Sequence, residues 1–351
     1  MTEVEPSRLR GRWIFSALAV LAVSVIAGLF IGTVDLPTLE VGRAIIDRIP
    51  GVRLLSGLTI TQEALFFDIR LPRVVLAGLV GGALALSGAA YQGVFRNPLV
   101  DPYLLGTAAG AGLGATLAIA YLPATSISVI GLDIGLLPIA AFAGALIAVM
   151  MAYGLGASTG VRSSATLMLA GVSVTAFLTA VQTFIQQRET ETLQRVYSWI
   201  LGALGTADWS SVGSVAPYVA VSSGVILAHG RLLDVLSVGD DEATSLGVRA
   251  SRVRLTVALA ASLAAAAAVA AAGLIGFVGL VVPHMVRRLT AGSYRVVLPL
   301  SLIGGAAFMI LADLLARTVL APAELPIGVV TAFIGAPFFA GLLRRSRRSA
   351  V

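Results

Sequence analysis

The side chains that most often carry chemistry are scarce in this sequence. It has two histidines, His229 and His284, no cysteine, and no lysine among its 24 basic residues. The histidines are far apart and no HExxH pattern surrounds either one, which excludes a zinc protease of that type. Without lysine there is no Walker phosphate loop, so the chain does not hydrolyse ATP by that route. Energy for its work must come from elsewhere.

Acidic residues inside the apolar segments are also rare. Nearly all of the 18 Asp and Glu residues lie in predicted loops or at segment ends. Asp313 is the main exception, and Arg317, four residues later, can pair with it on the same helix face. Ion-coupled transporters use intramembrane carboxylates to bind protons or sodium. Their scarcity disfavours an ion-coupled secondary transporter, which stays open as an alternative, and no pair of polar groups indicates a membrane enzyme.

The rest of the chain, which must position these few polar residues, has the composition of a membrane protein. Hydrophobic residues make up 58% of the 351 residues and charged residues only 12%, which excludes a soluble enzyme. A membrane-crossing helix needs about 20 apolar residues. Charge-free apolar stretches cover residues 14–32, 74–92, 103–122, 135–156, 165–187, 212–228, 255–286, 296–311 and 327–343.

The longest stretch, residues 255–286, is too long for one crossing. As a single helix it would reach about 48 Å, against a hydrocarbon core of about 30 Å. We expect it to break at Gly273, Gly276 and Gly279, before Pro283, into two tightly connected helices. The sequence therefore predicts an all-α, polytopic membrane protein of about ten transmembrane helices, forming one domain over residues 1–351.

The arginines predict the orientation. With the N-terminus inside, ten crossings place both termini in the cytoplasm, and most of the 24 arginines then lie on the cytoplasmic side, as the positive-inside rule requires. This topology assigns residues 1–12 to a cytoplasmic tail, residues 33–73 to a periplasmic or extracellular segment, and residues 230–254 to a cytoplasmic loop. The acidic cluster of that loop, DDEATSLGV, suits either a plain connector or a short helix offered to a soluble partner.

Several separated segments carry a family resemblance. They are residues 68–114, the loop around DDEATSLGVR, GLIGFVGLVVPHMVRRLTAG at 273–292, and residues 312–345. These segments closely resemble the permease subunits of bacterial iron-chelate and vitamin B12 ABC importers, the FecCD/BtuC type. The resemblance implies a BtuC-like type II ABC importer permease in the bacterial cytoplasmic (inner) membrane, surrounded by lipid and without a nucleic-acid partner.

The resemblance also implies the partners and the work of the chain. It implies a homodimer with two cytoplasmic ATPase subunits and an extracytoplasmic substrate-binding protein, working by alternating access. ATP and Mg would be bound by the ATPase, so the resemblance implies no catalytic residue, cofactor or metal in this chain. An iron complex, as a ferric siderophore or heme, is the expected substrate, and vitamin B12 (cobalamin) is the alternative.

The resemblance assigns three groups of site residues. Those of the ATPase-coupling loop are Asp240, Asp241, Glu242, Ala243, Ser245, Leu246 and Gly247. Those that would dock the binding protein, or else only anchor the membrane edge, are Arg70, Arg73 and Arg317. Those of the cytoplasmic gate are Asn97, Pro98, Leu99, Ser164 and Ala165, where the family often has Thr-Ser at the last two positions.

The fifth predicted helix, residues 165–187, carries a polar stripe. Its members recur at three- and four-residue spacing, which places them on one side of a helix. A pathway lining and hydrogen bonding between helices both fit such a stripe. The pathway-lining candidates are Thr175, Thr179, Gln182, Thr183 and Gln186.

Overall fold

A computed structural model describes residues 11–32, 34–48, 57–123, 125–129, 132–158, 164–290 and 292–348. Most of the predicted tail at residues 1–12 and part of the segment 33–73 lie outside these residues. The helices are α1 (Gly11–Phe30), α2 (Thr38–Asp47), α3 (Ile60–Ala64), α4 (Leu71–Val94), α5 (Thr107–Tyr121), α6 (Leu136–Ser158), α7 (Ser164–Arg188), α8 (Leu193–Ile200), α9 (Trp209–Ala228), α10 (Gly230–Val238), α11 (Asp240–Ser245), α12 (Ala250–Ala272), α13 (Val278–Leu289), α14 (Tyr294–Thr318) and α15 (Ile327–Arg348).

The all-α prediction is confirmed, and the helix count is compatible with ten crossings. Among the described residues, seven helices are long and apolar enough to span a membrane, and α5 and α15 are shorter apolar helices. Adding α13 gives ten. The sequence did not indicate the small antiparallel hairpin of β1 (Ser126–Val129) and β2 (Leu132–Gly135), which lies between α5 and α6.

Helix α4 forms the centre of the bundle. From Val80 to Val94 every one of its residues is buried, and α14, α12, α13 and α9 pack around it. Glycine makes these contacts close. A Cβ added at Gly81 would lie 2.2 Å from the carbonyl oxygen of Gly305, and one at Gly88 would lie 2.0 Å from that of Gly279. Small residues at such crossings let two backbones approach closely, and the resulting van der Waals packing favours helix association in lipid.

A widened turn precedes α4. Residues Leu65–Arg70 form a π-helical segment that joins α3 to α4, so that Ile60–Val94 runs as one continuous helix. Pro72 has no N–H to donate to the preceding turn, and a wider turn is one way for a helix to accommodate such a gap. The segment orients Arg70 and Arg73, at the start of α4, toward the bundle.

The long stretch 255–286 breaks as the sequence predicts. Helix α12 ends at Ala272, Gly273 has φ +72°, and α13 begins at Val278. Residues 273–277 thus turn the chain back toward the side it came from. Throughout, the outer end of the bundle is the end that holds Arg73 and Asp313, and the inner end is the one that holds Asp240 and Arg254, following the predicted topology.

Candidate functional site: the two ends of the bundle and the exposed helix faces

The outer end contains a buried cluster of charges centred on Arg73. Its Nε lies 3.0 Å from both carboxylate oxygens of Asp313, and its Nη2 lies 2.8 Å from Asp313 Oδ1. The same guanidinium donates to Glu324 at 2.8 and 2.9 Å. Arg317 Nε lies 3.7 Å from Asp313 Oδ2, so the predicted pair on one helix face is present. Asp313 is therefore shared by two arginines, and one of them comes from α4.

Two further contacts join this cluster to the last turn of α1. Arg70 Nη1 donates to the carbonyl oxygen of Leu29 at 3.1 Å, and Arg317 Nη2 donates to that of Gly28. The last carbonyls of a helix have no partner within the helix, and positive charge is favourable there. All three predicted docking arginines are thus buried and hold elements of this chain together.

Glu324 is the exposed edge of the outer cluster. It lies between α14 and α15, with about half of its side chain exposed, whereas Asp313 beneath it is almost fully buried. Hydrogen bonding to Arg73 holds the pKa of the Glu324 carboxyl below its ordinary value. A cavity of about 210 Å³ lies beside it, lined in part by Arg73, Asp313 and Ser198. No signal in the sequence indicated Glu324, because Arg73, with which it pairs, is 251 residues away in the chain.

At the inner end, the connection between α4 and α5 carries the predicted gate residues 97–99. Asn97 Oδ1 accepts the backbone N–H of Leu99 at 3.0 Å, a turn that the Asn-Pro pair favours. Pro98 and Leu99 are exposed. Gln92, near the end of α4, links this connection to α13. Its Nε2 donates to Gly279 O at 3.2 Å, and its Oε1 accepts from Arg287. The turn is therefore supported by α4 and α13.

The other predicted gate residues begin α7. Ser164 is its first residue and Ala165 is exposed. They are remote in the chain from residues 97–99.

The predicted coupling loop folds as two short helices, α10 and α11. Helix α11 ends in a Schellman motif, in which Val248 N donates to Ala243 O and Gly247 N to Thr244 O, both at 2.9 Å. Gly247 has φ +76°, a conformation that glycine adopts without strain. The motif explains why a glycine follows the acidic segment.

The seven coupling-loop residues divide between two sides of α11. Asp240 and Ala243 face the bundle, and Ala243 is fully buried. The exposed members are Asp241, Glu242, Ser245, Leu246 and Gly247. Leu246 is 70% exposed and Val238, just before α11, is 71% exposed. The side of α11 that faces away from the bundle thus combines carboxylates with exposed apolar side chains.

The coupling loop is tied to the bundle by two aspartates. Asp234, in α10, accepts from Ser293 Oγ at 2.7 Å and from the backbone N–H of Tyr294 at 2.6 Å, which satisfies donors at the start of α14. Asp240 accepts from Arg254 and also pairs with Arg96 at 3.0 Å. The bond from Arg254 holds the pKa of the Asp240 carboxyl below its ordinary value. Sequence reasoning used Arg96 and Arg254 only for topology.

The polar stripe of α7 splits between two faces. Gln182 is buried and Thr175 is half-buried, and both lie close to the backbone of the Gly106–Gly112 region at the start of α5. Thr179 and Thr183 are exposed, and Gln186 is half-buried. Part of the stripe therefore packs against a neighbouring helix, and part lies on an open face.

A second open face lies along α15. A groove of about 630 Å³ runs between α8, the connection from α12 to α13, and α15, and it includes Gly276, Phe277, Gly328 and Ala332. Phe333 at its edge is 76% exposed. His284, on α13, packs edge-on against Phe338 at a ring distance of 5.8 Å. Among the described residues no group of three or more histidine, aspartate or glutamate side chains is placed to hold a metal ion.

Residues 20–345 match the FecCD transport family. The chain belongs to this family. Among its relatives, the cobalamin import system permease protein BtuC of Halobacterium salinarum is 42% identical over 83% of this chain and 76% of its own length. The hemin transport system permease protein HmuU of Yersinia pestis is 39% identical over 82% of this chain and 86% of its own length.

A solved structure supports the same assignment. It is described as an inward-facing conformation of a metal-chelate type ABC transporter, and it shares 30% identity with this FecCD chain at a TM-score of 0.80, covering 96% of this chain and all of its own. The protein is therefore a multi-pass permease of the cytoplasmic membrane, from a family of ABC importers for iron chelates, heme or vitamin B12. It is a transport subunit and not an enzyme, because ATP hydrolysis belongs to a separate ATPase subunit.

Proposed function

We propose that two copies of this chain form the membrane pathway of an importer for an iron complex, a ferric siderophore or heme. Two cytoplasmic ATPase subunits drive it, and an extracytoplasmic binding protein delivers the substrate. The observation that carries the proposal is the outward side of α11, where Asp241, Glu242 and Leu246 are exposed at the inner end. A chain without lysine has no Walker loop, so this surface is where a partner that hydrolyses ATP would act.

The coupling surface has a direct test. Replacing Asp241 and Glu242 together by arginine reverses the charge of the exposed side of α11. We expect the reconstituted complex to lose ATP-driven uptake while the chain itself still folds, because neither side chain is buried. Unchanged uptake by this double variant would contradict the coupling role.

At the outer end, we propose that the cluster of Arg70, Arg73 and Arg317 docks acidic side chains of the binding protein, with Arg73 as the arginine that is reached and Arg70 and Arg317 holding the end of α1 beside it. Arginine pairs with carboxylates through two parallel hydrogen bonds. A partner carboxylate would reach Arg73 from its exposed side and take the place of Glu324, whose oxygens accept from Nη1 and Nη2. Weaker docking of the binding protein to Arg73→Gln in vesicles, measured against salt concentration, would support this role.

Within the membrane, we propose alternating access. ATP binding draws the ATPase subunits together, α11 moves with them, and the inner gate at residues 97–99 and 164–165 opens or closes. The pathway runs between the two copies, where the exposed Thr179 and Thr183 of α7 border it and supply weak polar contacts to the passing substrate. Both termini lie in the cytoplasm in this arrangement.

The second copy covers the open faces of α7 and α15. The groove beside α15 includes two glycines and two alanines, Gly276, Gly328, Ala332 and Ala336. Small residues of this kind allow another helix to approach closely in lipid. Lipid covers the remaining apolar surface.

The substrate has a specific alternative. The relative named for cobalamin import is 42% identical, so cobalamin is the second candidate beside the iron complexes, of which heme is supported by the relative named for hemin transport. Titrating the partner binding protein with a ferric hydroxamate, heme and cobalamin in turn measures its affinity for each candidate substrate. The ligand that binds most tightly is the expected substrate. Binding of cobalamin alone would replace the iron proposal.

Reconstitution tests the mechanism as a whole. We expect liposomes that contain the permease, the ATPase and ATP to accumulate the ligand that the binding protein carries. Omitting the ATPase or the binding protein should abolish uptake. Uptake that persists without the ATPase, and follows a proton or sodium gradient instead, would contradict the proposed mechanism.

A further inference from the structure

One side-chain bridge at the inner end joins three separate elements. Asp240 is the first residue of α11, and its Oδ2 accepts from Arg254 Nη1, in α12, at 2.9 Å. Its Oδ1 accepts from Arg254 Nη2 and pairs with Arg96 Nη2 at 3.0 Å. Arg96 belongs to the connection between α4 and α5. One carboxylate of α11 therefore contacts both α12 and the connection between α4 and α5.

Arg96 occupies a strained position. Its φ is +51°, in the left-handed region, where a residue with a Cβ costs about 1–2 kcal/mol relative to the usual conformation and glycine would be the easier choice. A long cationic side chain at such a position is consistent with a use for the guanidinium itself. Asn97, Pro98 and Leu99 follow directly, so whatever holds Arg96 also holds the start of the exposed turn.

Arg254 makes the bridge more than a surface contact. Its side chain is nearly buried, and its Nε has no hydrogen-bond partner among the described residues. Removing the carboxylate would leave a buried positive charge unpaired, which is strongly unfavourable. The position of Asp240 relative to α12 is therefore well defined.

Asp240 differs from the acids beside it. Asp241 and Glu242 are exposed and make no ion pair with the described residues, whereas the carboxylate of Asp240, with 44% of its side chain exposed, pairs with Arg254 and Arg96 on the side of the buried Ala243. Ala243 and Phe95, the residue before Arg96, belong to the same apolar cluster. Helix α11 thus packs on the bundle with one side and leaves the other side open to the proposed partner.

We propose that Asp240 is a positioning residue that transmits movement of α11 to residues 97–99 through its bridge to Arg96 and Arg254. The inference rests on the proposed coupling and gate roles and specifies the connection between them. Displacement of α11 pulls on Arg96, which lies next to the turn. In this scheme the carboxylate acts through Arg96 and Arg254 and not through the ATPase.

The absence of cysteine from the sequence makes the test direct, since a single introduced cysteine carries the only spin label of this chain when it is labelled before assembly with its partners. Leu99→Cys places one label on the exposed turn of each copy, and the distance between the two labels is measured in the complete complex with and without ATP plus vanadate. No transport substrate is needed. The variants to compare in this background are Asp240→Asn, Asp240→Glu and Arg96→Gln. Arg252→Gln, an exposed arginine on the same helix as Arg254, is the matched control.

We expect ATP to change the label distance in the Leu99→Cys background and in Arg252→Gln. In Asp240→Asn and Arg96→Gln the responding fraction should fall by about fivefold or more, the lower end of typical coupling between sites. The ATPase should still copurify with the permease and hydrolyse ATP. Asp240→Glu should restore the response, because it keeps the charge.

Three results would be decisive against parts of this scheme. A full response in Asp240→Asn, with or without a loss of thermal stability, would make the bridge a structural brace and overturn the inference. Loss of ATPase binding in Asp240→Asn would place Asp240 in docking and overturn it as well. No response in the unsubstituted Leu99→Cys background would instead contradict the proposed gate, whatever the bridge does.

Discussion

Asp313 is the buried carboxylate on which the outer cluster depends. It is 1% exposed and pairs with both Arg73 and Arg317. Asp313→Asn keeps the volume but removes the charge, and breaking a buried ion pair costs about 3–5 kcal/mol. We expect destabilisation of about 3 kcal/mol, the lower end of this range, because Glu324 still pairs with Arg73. Thermal unfolding of the purified permease measures it.

Glu63→Gln is the control for that prediction. Glu63 pairs with Arg48 at 3.1 Å, but both side chains are about half exposed. Exposed pairs contribute about 0–1 kcal/mol, so this variant should unfold close to the unsubstituted protein. Equal effects of the two substitutions would mean that the outer cluster contributes no more than a surface pair.

The contribution of Glu324 to the stability of the fold should depend on pH. Its pKa lies below the ordinary value of 4.5 because Arg73 donates to it. A carboxyl with a lowered folded-state pKa stabilises the fold above its unfolded pKa, and this contribution is lost as pH falls through the lowered value. The difference in melting temperature between the unsubstituted protein and Glu324→Gln should therefore be constant from about pH 7 to about pH 5 and shrink below about pH 4.5. A difference that grows on acidification would contradict the assignment.

At the scale of elements, the crossing of α4 and α13 depends on Gly88. A Cβ there would lie 2.0 Å from Gly279 O, so Gly88→Ala must separate the helices. Overpacking costs about 1–3 kcal/mol, and we expect that loss of stability together with reduced uptake. Gly224→Ala, in α9, is the matched control, since a Cβ there meets no atom within 4 Å. That substitution should be neutral or stabilise the helix by up to about 1 kcal/mol. Similar melting temperatures for both variants would contradict the close crossing.

Sequence patterns predicted the elements better than they predicted the contacts. Charge-free stretches located the spans, and the excess length of residues 255–286 located the break that α12 and α13 make. The hairpin and the π-helical segment before α4 left no hydropathy signal, because they depend on turn geometry and on one proline. The arginines at 70, 73 and 317 were identified as a group, but their burial was not, since the partners Asp313, Glu324 and the end of α1 are remote in the sequence from Arg73.

At the scale of the whole molecule, the open faces of α7 and α15 define where a second copy would sit. Helix α7 ends at Arg188 and α15 begins at Ile327, so Thr183 and Phe333 lie at similar depth near the outer end. Both side chains are exposed. In a dimer joined through these faces, α7 of one copy lies against α15 of the other. The cysteine-free background again allows this arrangement to be tested with introduced pairs.

The double variant Thr183→Cys/Phe333→Cys should therefore form covalent dimers in membranes under mild oxidation, seen as a doubled mass on a denaturing gel. Disulfides need Cα atoms within about 7 Å, so only faces in contact respond. Ile26→Cys/Phe333→Cys is the control, because Ile26 lies at a similar distance from the outer end of α1 and is 57% exposed. We expect no dimer from it, since α1 packs on α14 at the edge of the bundle. Dimers from the control pair alone would place the interface on α1 and leave the groove beside α15 to lipid.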